Sequence, residues 1–195
     1  MTGSGPTGKS LGHIVRLQLH AESLKRDGAF DPRPLVSVDK ASIDSAGMLG
    51  WDGTAWVLDN HHSAHPHLRG DGRRVLSVGF AGHYDRMRER FGDVPLGVAG
   101  ENVIVDGPPV SAEDISQGLV VRTSDGAVLE LRSPEAAAAC TGFTSFLLGS
   151  PEVLPRGEIT EHLAFLSTGT RGFIVSVDHV DPPVEISIGD EVFTR

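Results

Sequence analysis

The sequence predicts a mainly β fold with a few helices packed on it, an α+β single domain built as a barrel or a sandwich. Three observations point there. Twenty-four Gly and 12 Pro are scattered over 195 residues and cut the chain into short apolar segments separated by turns. Several segments switch between apolar and polar at every residue, as a strand with one wet face does. Helical patterning is confined to three stretches.

Taken in order, residues 1–10, rich in Gly, Ser, Thr and Pro, read as a flexible leader, and residues 11–195 as the domain. His13–His20 carries the run Ile14-Val15-Arg16-Leu17-Gln18-Leu19, part of which alternates like a half-exposed strand. Leu35–Val38, Thr54–Leu58, Arg74–Phe80 and Asn102–Val105 are expected strands, each rich in Val, Ile, Leu or Phe. Leu119–Arg122, Ala127–Arg132, Gly172–His179 and Glu191–Thr194 follow on the same grounds. The expected helices are His83–Phe91, Pro134–Leu148 with its run of four alanines, and Glu158–Leu166. Pro134 suits the first turn of such a helix.

Composition narrows the function. The chain is 39% hydrophobic and 22% charged, with a mean hydropathy of −0.08, which is the composition of a soluble globular protein. Seventeen Lys and Arg against 26 Asp and Glu leave a net charge of −9, which opposes general nucleic-acid binding. No apolar run approaches the roughly 18 residues that a spanning helix needs, so no membrane association is expected. The start, Met1 to Pro6, lacks the features of a signal peptide, which places the chain in the cytoplasm. Cys140 is the single cysteine: it excludes an intrachain disulfide and gives any thiol chemistry one address.

Gly3-Ser4-Gly5-Pro6-Thr7-Gly8-Lys9-Ser10 matches the phosphate-loop pattern letter for letter. That loop needs a strand entering it and a helix leaving it, so that backbone N–H groups converge on the phosphates. Only two residues precede the pattern and a strand-like segment follows, so nucleotide binding there is declined.

Four clusters carry side chains suited to chemistry. Asp59-Asn60-His61-His62 through His67 holds four of the nine histidines within seven positions: either a solvated polar loop or a transition-metal or proton-transfer site. Gly100-Glu101-Asn102 at a strand entrance either staples a turn or fixes a polar ligand. In Gly169-Thr170-Arg171-Gly172 the arginine is either a surface cation beside a tight turn or an anion clamp. Cys140 is either a small buried hydrophobe or, as thiolate beside positive charge from Arg132 or the histidines, a nucleophile or soft-metal ligand.

Together these segments resemble the MOSC family, the molybdenum-cofactor sulfurase C-terminal domain, over most of the chain. Asp59-Asn60-His61-His62 followed by Arg74-Val75-Leu76-Ser77 is similar to the family's Gly-Asp-x-His-His segment and its next strand, and His83-Tyr84 with Phe91-Gly92 to its next helix. Leu96-Gly97-Val98-Ala99-Gly100-Glu101-Asn102-Val103 resembles the Gly-x-x-Gly-Glu-Asn signature, the most specific stretch. Val128 to Pro134 leading to Cys140 looks like the strand that carries the family's cysteine, and Gly169–Phe173 with Gly189–Val192 resembles its closing strand and turn. The chain departs from the pattern at Glu135–Ala139, where a Pro-Arg pair is usual, and at Leu58, Asn60 and Gly118-Leu119.

The resemblance implies a MOSC-type β-barrel and a pocket for the pterin molybdenum cofactor (molybdopterin). It also implies a cysteine that ligates molybdenum or carries sulfur as a persulfide. Carried onto this chain, Cys140 is the metal ligand and catalytic residue, and His61 or His62 supplies protons. Arg132 and Arg171 hold the anionic end of the cofactor, while Glu101, Asn102 and Asp59 line its site. The expected activity is that of an oxidoreductase reducing N-hydroxylated or N-oxide-like small-molecule substrates, with electrons from an external donor protein, since the chain has no cysteine set for an iron–sulfur cluster. The alternatives are a persulfide carrier, or sulfurtransferase, fed by a sulfur donor protein, and a non-catalytic cofactor-binding module. Pyridoxal-phosphate binding belongs to the family only through longer sulfurases, and no lysine motif supports it here.

Overall fold

A computed structural model describes residues 8–66 and 76–195. Fourteen strands occur among these residues: β1 Ser10–His20, β2 Lys25–Arg26, β3 Ala29–Phe30, β4 Leu35–Val38, β5 Lys40–Asp44, β6 Gly47–Trp51, β7 Trp56–Leu58, β8 Leu76–Phe80, β9 Val103–Val105, β10 Leu119–Arg122, β11 Val128–Ala136, β12 Phe173–Val177, β13 Val184–Ser187 and β14 Glu191–Thr194. The helices are α1 Ala81–Phe91, α2 Thr141–Leu147 and α3 Thr160–Phe165, the last entered by a 3-10 turn at Arg156–Ile159 and left through an irregular turn at Leu166–Thr170.

Seven strands close into a barrel in the order β14-β10-β11-β12-β8-β9-β1, with β1 pairing back onto β14. Every pairing around it is antiparallel except β8 with β9. The expectation of a mostly β, α+β barrel therefore holds. Closure follows from strand length and bending. β1 has 11 residues, enough to serve β14 with its first part, β9 with its middle and β4 with its last four residues. Irregularities at Ser10/Gly12 and Ile14/Arg16 re-aim the strand, so Ile14 and Leu17 both reach the core although they are three apart. Beyond β4, a second sheet in the order β13-β5-β6-β7 packs against the barrel. At Gly50 an added Cβ would sit 2.7 Å from Leu19 Cδ1, so the bare backbone is what lets this sheet approach β1.

Two cores result. One fills the barrel with inward residues such as Val78, Phe80, Val103, Leu131, Phe173 and Val175. The other lies on the outside of the barrel wall, where Ile104 of β9 meets Tyr84 and Met87 of α1, Phe143 of α2 and Phe30 of the β2–β3 hairpin. The candidate site is at the edge of this outer core.

Several expected elements appear at their expected bounds, Leu35–Val38, Leu119–Arg122 and Glu191–Thr194 among them. Arg74 and Val75 lie outside the described residues, as do His67 and the first five residues of the phosphate-loop pattern. Lys9 and Ser10 lead into a strand, not a helix. The expected helix Pro134–Leu148 is corrected. Residues as far as Ala136 continue β11, where Glu135 and Ala136 pair with Ile174 and Phe173, and the helix begins only at Thr141. Pairing with β12 outweighs the alanines' helix propensity, and Pro134 is accommodated at a bulge beside Ser133, whose φ is 49°.

Candidate functional site

A cleft of about 440 Å³, within the usual size of small-molecule sites, lies against the outer face of the barrel wall. Ser77 of β8 and Ile174 of β12 form its back; both alternate with residues that point into the barrel. His20 at the end of β1, Asn60 and His61 after β7, Ala99-Gly100-Glu101 before β9, Ala137-Ala138 after β11 and Arg171 before β12 close the sides. Lys25 of the small hairpin stands at its rim.

The most buried charged group on the cleft lining is Glu101, 2% exposed. Gly100, with φ of 91°, turns the chain so that this side chain enters the protein. Its carboxyl group then rests against two glycines: a Cβ on Gly79 would lie 2.6 Å from Oε1, and one on Gly172 3.2 Å from it. The Tyr84 hydroxyl donates to Oε2, while Oε1 has no hydrogen-bond partner. Burial pushes the carboxyl up from 4.5 to about 7, against the pull of the Tyr84 hydrogen bond and the Arg171 and Arg16 charges. Burial and the neighbouring Glu101 charge drive the Tyr84 hydroxyl well above its ordinary range, so it stays protonated and serves as the donor. Tyr84→Phe is expected to destabilise the fold by about 1–3 kcal/mol in urea titration, because it leaves both carboxyl oxygens without a donor.

Asp59, fully buried, is the second organising carboxylate. Oδ1 accepts from the His61 backbone N–H and from His61 Nδ1, both at 2.8 Å; Oδ2 accepts from the His20 N–H at 2.8 Å and Asn102 Nδ2 at 3.0 Å. Burial alone would raise its pKa, but the His61 hydrogen bond and the His20 and His61 charges outweigh this and lower it. His20, Asp59 and His61 bring ligand-type atoms within 4.8 Å of one another. With four donors already satisfying the carboxylate, the trio reads as an orienting network, not a metal centre. His20 is held by Gly100 O at 2.5 Å from Nε2, and burial lowers its pKa.

The sequence-derived residues divide as follows. His61, Glu101 and Arg171 line the cleft. Asn102 is a staple behind it: Oδ1 accepts from the Ser77 N–H and hydroxyl at 3.0 Å, and Nδ2 donates to Gln18 O and to Asp59. His62 turns away; it packs on Gly47 of the second sheet, and its Nδ1 accepts from the Ala64 N–H at 3.1 Å. Burial lowers its pKa. Arg132 is not on the cleft: it forms ion pairs with Glu130 at 2.6 Å and Asp178 at 2.7 Å. Arg171 donates from Nη1 to Ala138 O at 2.9 Å and lies 4.8 Å from the Phe143 ring centre. Cys140 is half-buried against the outer core at the start of α2. It comes two residues after Ala138 and is not itself on the cleft lining. Sequence reasoning missed His20, Lys25 and Ser77 as lining residues. A histidine closing the alternation of β1 is the only local signal any of them gives.

No helix among the described residues is long and apolar enough to cross a membrane. No family model matches this chain. No curated protein matches it either. Among solved structures, the YUAD protein from Bacillus subtilis is similar over 95% of this chain and 93% of its own, with 18% sequence identity and a TM-score of 0.53. A second, described as a hypothetical protein, is similar over 96% of this chain and 69% of its own, with 14% identity and a TM-score of 0.54. At these identities the likeness is one of fold.

Proposed function

We propose that this chain is a MOSC-type protein that binds the molybdenum cofactor in the cleft and reduces N-hydroxylated or N-oxide-like small molecules, with electrons from a donor protein. The observation that carries this reading is the character of the cleft. In a chain of net charge −9, Arg171 and Lys25 converge on one cavity that also holds His61 and a buried carboxyl group. Two cations on one cavity suit the phosphate of an anionic cofactor, and the size suits a molecule of that class. The donor set therefore fits the anionic end. The soft donor a molybdenum centre calls for would have to be Cys140, which lies two residues beyond the cleft-lining Ala138 and off the lining itself.

When bound, the cofactor supplies a two-electron redox centre. The chain's own part is to anchor and enclose it. Arg171 fastens the Ala137–Cys140 segment through Ala138 O, and the Ala137 N–H donates to Gly172 O at 2.9 Å, so the cation that meets the anion also sets the path of the thiol-bearing segment. Incubation with phenylhydroxylamine and a dithionite-reduced viologen dye tests the reading. Wild-type protein made in a molybdenum-competent host is expected to form aniline, and Cys140→Ser to form none while unfolding at the same denaturant concentration. Turnover unchanged by Cys140→Ser contradicts the proposal.

The thiol's place outside the cleft lining favours a second reading, in which half-exposed Cys140 carries sulfur as a persulfide. Intact mass after exposure to a sulfur donor distinguishes it: one added sulfur, removable by reductant and absent from Cys140→Ser, is its signature.

A further inference from the structure

The histidines on and around the cleft are not equivalent. His20 is committed, because its Nε2–H donates to Gly100 O and the residue is only 8% exposed. His62 is committed too, with Nδ1 taken by the Ala64 N–H and its ring against the second sheet. His61 differs from both. Its Nδ1 is engaged by Asp59 Oδ1 at 2.8 Å, its side chain is 38% exposed, it lines the cleft, and its Nε2 has no partner among the described residues. A buried carboxylate on one imidazole nitrogen with the other nitrogen free at a cavity is the arrangement by which a second group fixes tautomer and ring orientation.

We infer that His61 is the acid–base residue of the cleft, acting through Nε2, and that Asp59 is its positioning residue, not a cofactor contact. The assignment of the reaction rests on the reductase reading. In that reaction, R–NH–OH + 2e− + 2H+ → R–NH2 + H2O, the N–O bond breaks, and the two electrons, which originate in the external donor protein, are what a bound cofactor would supply. The His61 imidazolium gives its Nε2 proton to the leaving oxygen, completing water, and solvent supplies the second proton to the nitrogen, completing the amine. Asp59 suits its part because its four accepted hydrogen bonds leave it no freedom to turn. It links the His20 end of β1 to Asn102 and thereby to Ser77 on the cleft's back wall. Besides Asp59, the charged and titratable groups around His61 are His20 in edge contact at 5.0 Å and, on the other sides of the cleft, Arg171, Lys25 and Glu101.

The test has two arms. With cofactor-loaded full chain, phenylhydroxylamine and a reduced viologen, His61→Gln is expected to lower kcat roughly 100-fold with KM changed less than twofold. Added imidazole should restore part of the loss in His61→Ala. A loss on His62→Gln with His61→Gln unaffected, or a change confined to KM, overturns the assignment. The second arm needs no activity: long-range proton–nitrogen spectra of nitrogen-15-labelled protein should show neutral His61 protonated at Nδ1, a preference that Asp59→Asn weakens. Neutral His61 protonated at Nε2 in the wild type overturns the pairing, and that spectrum decides even if Asp59→Asn does not fold. Wild-type protein that turns over nothing while showing the Nδ1–H tautomer refutes the reductase reading and leaves the Asp59–His61 pairing standing.

Discussion

Charge reversal at Arg171, in Arg171→Glu, is expected to weaken retention of an anionic cofactor by 100-fold or more, to below a tenth of the wild-type content after purification. A charge-assisted hydrogen bond to an anion contributes about 1.5–3 kcal/mol, and the reversal replaces that attraction with repulsion across the same short distance. It also removes the bond to Ala138 O and the stacking on Phe143, so the Ala137–Cys140 segment loses a tether. Arg171→Lys separates the two effects. A lysine keeps the charge but not the planar fork, so it should retain part of the affinity. Arg132→Glu serves as the comparison: Arg132 is paired with Glu130 and Asp178 away from the cleft, so its reversal should affect stability and leave cofactor content within about twofold. Equal losses in the two reversals would contradict the assignment of the anion to Arg171.

The second large effect concerns Glu101 and pH. Its carboxyl group sits at about 7 in the folded chain against an ordinary 4.5, so the folded state binds the proton more tightly than the unfolded state does. The stabilisation that this group gives is fully present below pH 4.5 and is lost as pH rises towards 7, in total about 3 kcal/mol at roughly 1.4 kcal/mol per pH unit. His20, His62 and His83 act in the opposite direction. Burial lowers the pKa of each, so their contributions are lost as pH falls below the ordinary histidine value of 6.5. The Glu101 effect is therefore read as a difference. Urea titrations of wild type and Glu101→Gln at pH 4.5, 6 and 8 should show wild type losing about 3 kcal/mol relative to the variant across that range. Parallel curves would mean that Glu101 is not buried as described.

These two residues show what a sequence can reveal. Glu101 and Arg171 stand in short glycine-flanked motifs, and those glycines have a local reason: Gly100, Gly169 and Gly172 each have a positive φ. Local reasons are visible in a linear sequence. A staple at Asn102 is one of the two roles that the sequence offers, but its partners Ser77 and Asp59, like Asp178 for Arg132, are distant in the chain and are not legible there.

The same division runs through the fold. β10 and β14 combine runs of apolar residues with barrel pairing on both sides, and their bounds were readable. The strands β5, β6 and β13 were not read as strands: they are short and interrupted by Ser, Gly or Glu, and they become strands through pairing with one another and packing on β1. Residues 134–136 contain two helix formers and yet lie in β11, because β12 offers them backbone partners that a solitary helix would not have.

The central claim is the proposal that the cleft between Arg171 and His61 holds a molybdenum–pterin group, with Cys140, two residues beyond the cleft-lining Ala138, as the candidate ligand. Elemental analysis and pterin fluorescence of protein purified from a molybdenum-competent host test this most directly. The account predicts near one molybdenum and one pterin per wild-type chain, with pterin retained but molybdenum or turnover lost in Cys140→Ser. A wild-type protein that carries neither, purified folded from a host that demonstrably makes the cofactor, would contradict it.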